Sequence, residues 1–421
     1  MNSSSAAPSY LLFGGGVPGW ATPGRQLAAC AAMHVVNDAL FAGLYPLLPL
    51  VAADLRLSYA QVGAIKTVYS GTSAIFQVPA GMAAERAGEQ LLLALGTGWV
   101  GLGLLAMALA GGFVPLLALA CAAGLGGNIQ HPVASAIVSR LYERRHAAGG
   151  RSIGWAIGTL NFAGDVGKVL APLVVGAAAI AAGWRGALVA LGALGAVFAL
   201  VYLVLVPPPE PVALPHQDQE PPRAAARRAP PAGTWGIHRP GLFAVLSLIG
   251  ILDSAARGAA LVFIPFVLQG KGADPASMSF YFAVLFGTGA AGKFLCGPLG
   301  DRFGNVGVIA ITELITAGAL LGVLGAPLGW TLAALLPLGF VLNGTSSVLY
   351  ASVATLVETG KRARGYGLYY TTSQLASAAA PLVYGALADR AGLPAALITL
   401  AAATATIAPL TLIAGRGLHQ Q

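Results

Sequence analysis

Eight ionisable side chains stand inside long apolar runs of the sequence: Asp38, Asp165, Asp253 and Glu313 against Lys66, Lys168, Arg257 and Lys293. His34 and His131 share such surroundings. His34 and Asp38 are four residues apart, as are Asp253 and Arg257, while Asp165 and Lys168 are three apart. Side chains at these separations meet on one face of a helix. A buried carboxylate beside an imidazole suits reversible protonation, because burial and a neighbouring cation act on its proton affinity in opposite directions. Asp38 with His34 is therefore the first candidate for proton coupling, followed by Asp165 and Asp253. The same spacings also suit permanent ion pairs that hold helices together. Asn37 and Asp38 equally suit hydrogen bonds between helices.

Arginine presents a planar two-donor fork to carboxylates and phosphates, which makes Arg257 the leading contact for an anionic substrate. Lys168 and Lys293 come next. Lys293 lies eight residues before Asp301 and has two options, reaching inward or extending its stem to the membrane face. Lys66, near the start of its apolar run, is expected to extend outward, and Glu313 to make a structural bond to a neighbouring helix. His131 precedes Pro132, where a proline bends a helix and frees a carbonyl. It suits either packing or substrate contact. Tyr350, Tyr369 and Tyr370 offer aromatic walls and hydroxyls, with packing between helices as the ordinary role of such rings.

Composition says what must position these groups. Of 421 residues, 57% are hydrophobic and 9% charged, with mean hydropathy +0.76. A soluble domain carries about 25% charged residues, so the polar surface needed to cover a water-soluble globule is missing. A cytosolic enzyme, a nucleic-acid binder and a disordered scaffold are excluded. The backbone must satisfy itself in lipid, and about 20 apolar residues cross the hydrocarbon as a helix. Twelve such runs fall near 27–50, 60–82, 91–111, 114–139, 153–180, 186–206, 241–268, 277–299, 306–326, 329–357, 365–387 and 393–415. With both termini cytoplasmic, 15 of the 23 Lys and Arg residues lie on that side and four on the other, a positive-inside bias. The net charge of +8 thus reflects sorting between loops rather than a polyanionic partner. Cys30, Cys121 and Cys296 lie in apolar runs without metal spacing and are expected to pack.

The chain divides into an N-terminal six-helix bundle (1–206), a Pro-rich charged linker (207–239) expected to be flexible, and a C-terminal six-helix bundle (240–421). The halves repeat. Pro49 aligns with Pro265, Gly81 with Gly297 and Glu85 with Asp301 at a spacing of 216, and Asn128 aligns with Asn343 at 215. PLVVG at 172–176 matches PLVYG at 381–385. A shorter unit recurs as GMAAERAG (81–88), GPLGDRFG (297–304) and GALADRAG (385–392). Repeated halves around a midplane site are a transporter architecture.

The pattern resembles the major facilitator superfamily over nearly the whole chain. GPLGDRFG at 297–304 looks like that superfamily's loop signature, which implies a gating role for Gly297, Asp301 and Arg302 and for Gly81, Glu85 and Arg86 in the first copy. That copy departs from the pattern, with Glu85 for Asp and Glu89-Gln90 where basic residues are expected. GDVGKVLAPLVVG in the fifth span looks like a charged version of the superfamily's antiporter motif. HVVND at 34–38 and GLGGNIQHP at 124–132 are similar to the fosmidomycin-resistance branch of exporters. The resemblance implies an all-α membrane protein of twelve helices in two pseudo-symmetric bundles. It also implies a cavity lined by spans one, four, seven and ten, which carry His34, Asn37, Asp38, Asn128, His131, Asp253, Arg257, Asn343 and Tyr350.

These readings converge on a secondary active transporter of a small polar, anionic solute, coupled to protons, with efflux by antiport favoured. The alternative is an uptake symporter for an organic acid or related nutrient. No P-loop, GxSxG or HExxH occurs, so the chemistry of ATP-driven transport or intramembrane hydrolysis is missing. A metal carrier is opposed by the basic residues among the candidate ligands. A substrate-sensing receptor of the same fold is opposed by the flexible linker. The expectation is a monomer in a bacterial inner membrane, in contact with lipid, without cofactor, metal or nucleic acid.

Overall fold

The computed structural model describes residues 22–147, 152–206, 236–358 and 362–418. The N-terminal half comprises α1 (Pro23–Ala42), α2 (Leu48–Leu55), α3 (Tyr59–Ala87), α4 (Glu89–Met107), α5 (Phe113–Gly124), α6 (Gln130–Ala147) and α7 (Ile153–Leu205). The C-terminal half comprises α8 (Pro240–Gly270), α9 (Pro275–Phe303), α10 (Asn305–Gly325), α11 (Leu328–Leu356), α12 (Arg362–Ala391), α13 (Leu393–Ala405) and α14 (Ile407–Leu418).

Eight helical stretches are long and apolar enough to cross a membrane, α1–α2 and α13–α14 each counting as one. The 53-residue α7 supplies two passes, because its backbone leaves helical geometry at Ala182 and Gly183, the latter at φ 66°. α3 and α12, 29 and 30 residues long, have the length with more polar residues, and α5 joins α6 through a 3-10 turn at Gly127–Ile129. Twelve passes result among the described residues. The first expected run is not continuous: Pro46 and Pro49, which bring no backbone N–H to a helix, accompany a 3-10 turn at Tyr45–Leu47.

The internal repeat is visible in backbone angles. Each copy of the short glycine unit ends on a glycine at positive φ, Gly88 at 94°, Gly304 at 83° and Gly392 at 87°, which turns one helix directly into the next. Ser58 and Asp274, again 216 apart, cap the N-termini of α3 and α9 by accepting from the Gln61 and Ser277 amides.

Within the halves, α1 packs on α7 and α9 on α11; between them, α3 packs on α12 and α7 on α9. The matched PLVxG segments each make a close inter-half contact. A Cβ on Gly385 would lie 2.4 Å from the Tyr59 carbonyl, and one on Gly176 would lie 2.1 Å from the Ser279 hydroxyl. One end of the molecule, called distal here because it lies away from the start of α1, is thereby closed. Asp389 adds a clasp from α12: it accepts from the Ser58 hydroxyl at 2.7 Å, the Tyr59 amide at 2.8 Å and the Ala60 amide at 2.9 Å.

Residues 236–239, expected to be linker, are tied down: His238 donates to the Leu356 carbonyl and Glu358 to that of Gly236 around an isolated antiparallel bridge between Ile237 and Val357. Residues 207–235 of the expected linker lie outside the described residues.

Candidate functional site

Two glycines let α7 come close to α1. A Cβ on Gly167 would lie 2.0 Å from the Val35 carbonyl, and one on Gly164 would lie 2.6 Å from an Asp38 oxygen. This approach carries Lys168 to Asp38. The Lys168 ammonium is 3.0 Å from Asp38 Oδ2 and 3.1 Å from Asp165 Oδ1. His34 Nε2 lies 3.6 Å and His131 Nε2 3.9 Å from Asp38 Oδ1, and the imidazoles meet edge-to-face at 4.8 Å. Asp165 Oδ1 also accepts from Lys293 of α9 at 2.7 Å, so an ion pair joins the halves. Lys293 therefore takes the inward option of the two its position allowed.

In the other half, Arg257 donates to Asp253 Oδ2 at 2.6 Å, one turn along α8. Glu313 of α10 is buried, and its Oε1 has no hydrogen-bond partner. Tyr350 packs against Tyr366, Tyr369 and Tyr370 with centroids 5.7–6.4 Å apart, and Tyr369 is buried. Asn343 is half-buried, its amide against Gly289 of α9, so its position in the structure is a helix-packing one.

The charges are ordered by exposure. The side chains of Lys168, Lys293 and Arg257 retain 31%, 34% and 22% of their accessible surface, whereas Asp38, Asp165 and Asp253 retain 6%, 11% and 4%. Cations form the accessible surface and the carboxylates stand behind them. Arg257 Nε, His34 Nδ1 and Asn37 Oδ1 are buried without hydrogen-bond partners. Buried orphans of this kind ordinarily find a protein partner, a water or an ion.

His34, Asp38 and His131 bring three ligand atoms within 4.8 Å of one another, a grouping that fits a metal ion geometrically. Lys168 already occupies Asp38 Oδ2. A second cation would meet an ammonium group there.

Lys66 departs from the sequence-based expectation. Instead of extending outward it is buried, 4.4 Å from the Tyr45 ring centroid, 5.1 Å from Tyr69 and 5.7 Å from Phe41. No carboxylate lies within ion-pair distance of it among the described residues. The cation–aromatic attraction takes the place of a counter-ion. The gating candidates stay apart from this network: Asp301 and Arg302 are exposed at the end of α9, and Arg302 lies over the Phe303 ring at 5.3 Å. Gly297 is half-buried, while the side-chain surroundings of Gly81, Glu85, Arg86 and Asn128 lie outside those described. Glu89, directly after the first glycine unit, forms an ion pair with Arg140.

The family profile described as Major Facilitator Superfamily matches residues 30–252 and 246–416. The chain belongs to the Major Facilitator Superfamily. It is 26% identical over 364 residues to the fosmidomycin resistance protein of Escherichia coli (strain K12), covering 86% of each chain. It is 25% identical over 373 residues to a probable sulfoacetate transporter of Cupriavidus necator, covering 82% of each. Among solved structures, a bacterial homologue of the human lysosomal transporter Spinster superposes with a TM-score of 0.76 at 18% identity, over 93% of this chain and 96% of that one. Superfamily membership establishes a multi-pass membrane transporter rather than an enzyme.

Proposed function

We propose that the protein moves a small organic anion across the bacterial inner membrane in exchange with or alongside protons, both termini being cytoplasmic. The observation that carries this reading is the ordering of charge, with Lys168, Lys293 and Arg257 toward the accessible side and their carboxylates buried behind. An arriving anion meets the cations first. The partly exposed Arg257 side chain presents its guanidinium to it, and that fork suits a carboxylate, sulfonate or phosphonate. Asp38, touched by Lys168, His34 and His131, is the leading proton-coupling group, since its charge state decides how firmly Lys168 is held.

Efflux by proton antiport is the direction that likeness to the fosmidomycin resistance protein supports. Uptake by symport is the second reading, and electrostatics favours it: an anion that engages these cations loosens their hold on the carboxylates, which then accept protons more readily. The name of the sulfoacetate transporter also denotes a carrier of an organic anion.

Binding is tested by thermal denaturation of purified protein with sulfoacetate, hexuronates, phosphonates and neutral sugars. A ligand at 100 times its dissociation constant stabilises by about 2.7 kcal/mol. Anions are expected to raise the melting temperature of wild type and not of Arg257→Ala. Equal effects in both proteins remove Arg257 from the site, and stabilisation by neutral solutes alone refutes the anion reading.

A further inference from the structure

Lys168, Lys293 and Arg257 each stand against a carboxylate, whereas Lys66 stands against aromatic rings. The internal repeat locates the difference. Its spacing of 216 sets Asn37 and Phe41 of α1 against Asp253 and Arg257 of α8, and Lys66 of α3 against Phe282 of α9. Where the C-terminal half carries an acid and a base one turn apart, the N-terminal half carries an amide and a ring. Lys66 restores the positive charge from the neighbouring helix, its ammonium 5.7 Å from the Phe41 ring, but without the carboxylate. A charge inside a membrane span with no protein counter-ion marks a site more readily than a packing position. Two hydroxyls add to it. Lys66, Tyr69 and Ser73 lie at i, i+3 and i+7 on one face of α3 and retain 4%, 0% and 1% of their accessible surface. The Tyr69 hydroxyl and Ser73 Oγ have no hydrogen-bond partner. The Tyr69 ring is 5.1 Å from the Lys66 ammonium and 4.6 Å from the Phe41 ring. A Cβ on Gly127 would lie 2.1 Å from the Phe41 ring and 2.5 Å from Ser73 Oγ, so Ser73 borders that ring as well. One ammonium and two unpartnered hydroxyls, all able to donate, are thus gathered around Phe41.

We propose that Lys66, with the Tyr69 and Ser73 hydroxyls, is an anion-binding site of the N-terminal half, the counterpart of Arg257, which the transported organic anion occupies once the distal end opens. Tyr45 is its cover. The Tyr45 ring centroid lies 4.4 Å from the Lys66 ammonium, and the same ring packs against Phe282 and Phe286 of α9 at 6.4 and 6.3 Å. Because α9 belongs to the opposite half, opening the distal end withdraws both rings from Tyr45 and frees it to swing off Lys66. Lys66 lies seven residues from Tyr59, a member of the distal clasp, which is about 10 Å along α3. In the closed form the aromatic rings hold the bare charge. In the open form an anion entering from the distal side supplies the missing counter-ion and accepts from the two hydroxyls.

The inference rests on the reading of the protein as an anion carrier and adds a second contact to it, so two measurements separate them. The cover is tested without any substrate, by acylation of Lys66 in the full-length protein with sulfosuccinimidyl acetate, read by peptide mass spectrometry. Tyr45→Ala is expected to raise the acylation rate severalfold over wild type, and an unchanged rate overturns the proposal. Binding is read from the melting temperature of wild type, Lys66→Met and Lys66→Arg titrated with sulfoacetate, hexuronates and sodium iodide. Lys66→Met is expected to melt no lower than wild type without anion, yet to bind the organic anion about tenfold or more weakly, the worth of one charge-assisted hydrogen bond. Lys66→Arg is expected to recover most of that affinity, which a merely structural lysine would not predict. Equal affinity in wild type and Lys66→Met, with Arg257→Ala impaired, overturns the proposal and leaves the carrier reading standing. Stabilisation by iodide alone, lost in Lys66→Met, overturns the organic occupant. Failure of every anion to stabilise wild type refutes the carrier reading and this site with it.

Discussion

Asp389→Ala isolates the clasp that holds the distal end shut. The Tyr59 and Ala60 amides belong to the first turn of α3, whose donors have no partner within the helix, and Asp389 supplies both from the opposite half. Loss of an N-terminal capping side chain costs about 0.5–2 kcal/mol. The Ser58–Gln61 capping box, closed by bonds of 3.0 and 3.3 Å, survives the substitution, and Asp389 is exposed, so the lower half of that range applies. About 1 kcal/mol corresponds to a roughly fivefold shift between closed and open distal ends. The assay is labelling of Ser279→Cys by a water-soluble maleimide, in a background with Cys30, Cys121 and Cys296 replaced. Ser279 is buried against Gly176 at the other inter-half contact, so its labelling reports opening of the whole end rather than local fraying. Asp389→Ala is expected to raise the labelling rate about fivefold, with Asp389→Asn in between because one acceptor oxygen remains. Equal rates in all three proteins would show that the clasp does not hold the end closed.

Three further substitutions follow from the charges. Lys168→Met leaves two buried carboxylates short of a shared cation and is expected to cost about 3–5 kcal/mol; adding Asp38→Asn should recover part of the lost melting temperature, and no recovery argues against their direct pairing. Lys66→Met removes a buried charge whose aromatic contacts return only about 2 kcal/mol against a larger desolvation cost, so the melting temperature is expected to hold or rise; a marked fall would point to a counter-ion. Asp274 caps α9, and the Ser277 amide and hydroxyl that bond its carboxylate hold it below the usual carboxylate range. A lowered folded-state value contributes stability above the unfolded value near 3.9 and loses it as pH falls through the folded one. The melting difference between wild type and Asp274→Ala should therefore be full at pH 7 and fade only at strongly acidic pH.

Local spacing made part of the site readable. His34 with Asp38, Asp165 with Lys168 and Asp253 with Arg257 each share one helix face, and each meets in the structure. The tertiary partners left no comparable trace. Lys168 reaches Asp38 because Gly164 and Gly167 thin the contact between α7 and α1, and Lys293 reaches Asp165 from the other half. The Lys66 cage draws on rings from three separate elements, so a sequence window shows only an unexplained cation. The equal count of four acids and four bases in the spans concealed an uneven pairing: Lys66 stands against aromatic rings rather than a carboxylate. The fold was more legible, because the glycine unit sets helix-to-helix turns through a local backbone requirement at Gly88, Gly304 and Gly392. The break of the first expected run at Tyr45–Leu47 depends on what packs nearby and was missed.

The central claim, that protons and an organic anion move under mutual control through this charge network, is tested most directly in proteoliposomes. An anion identified by thermal stabilisation is loaded on one side and a pH gradient imposed across the membrane. The expected result is gradient-driven movement in wild type, its direction distinguishing antiport from symport, with coupling lost in Asp38→Asn while binding persists. Movement that ignores the pH gradient, or a gradient response that survives Asp38→Asn unchanged, would contradict the account.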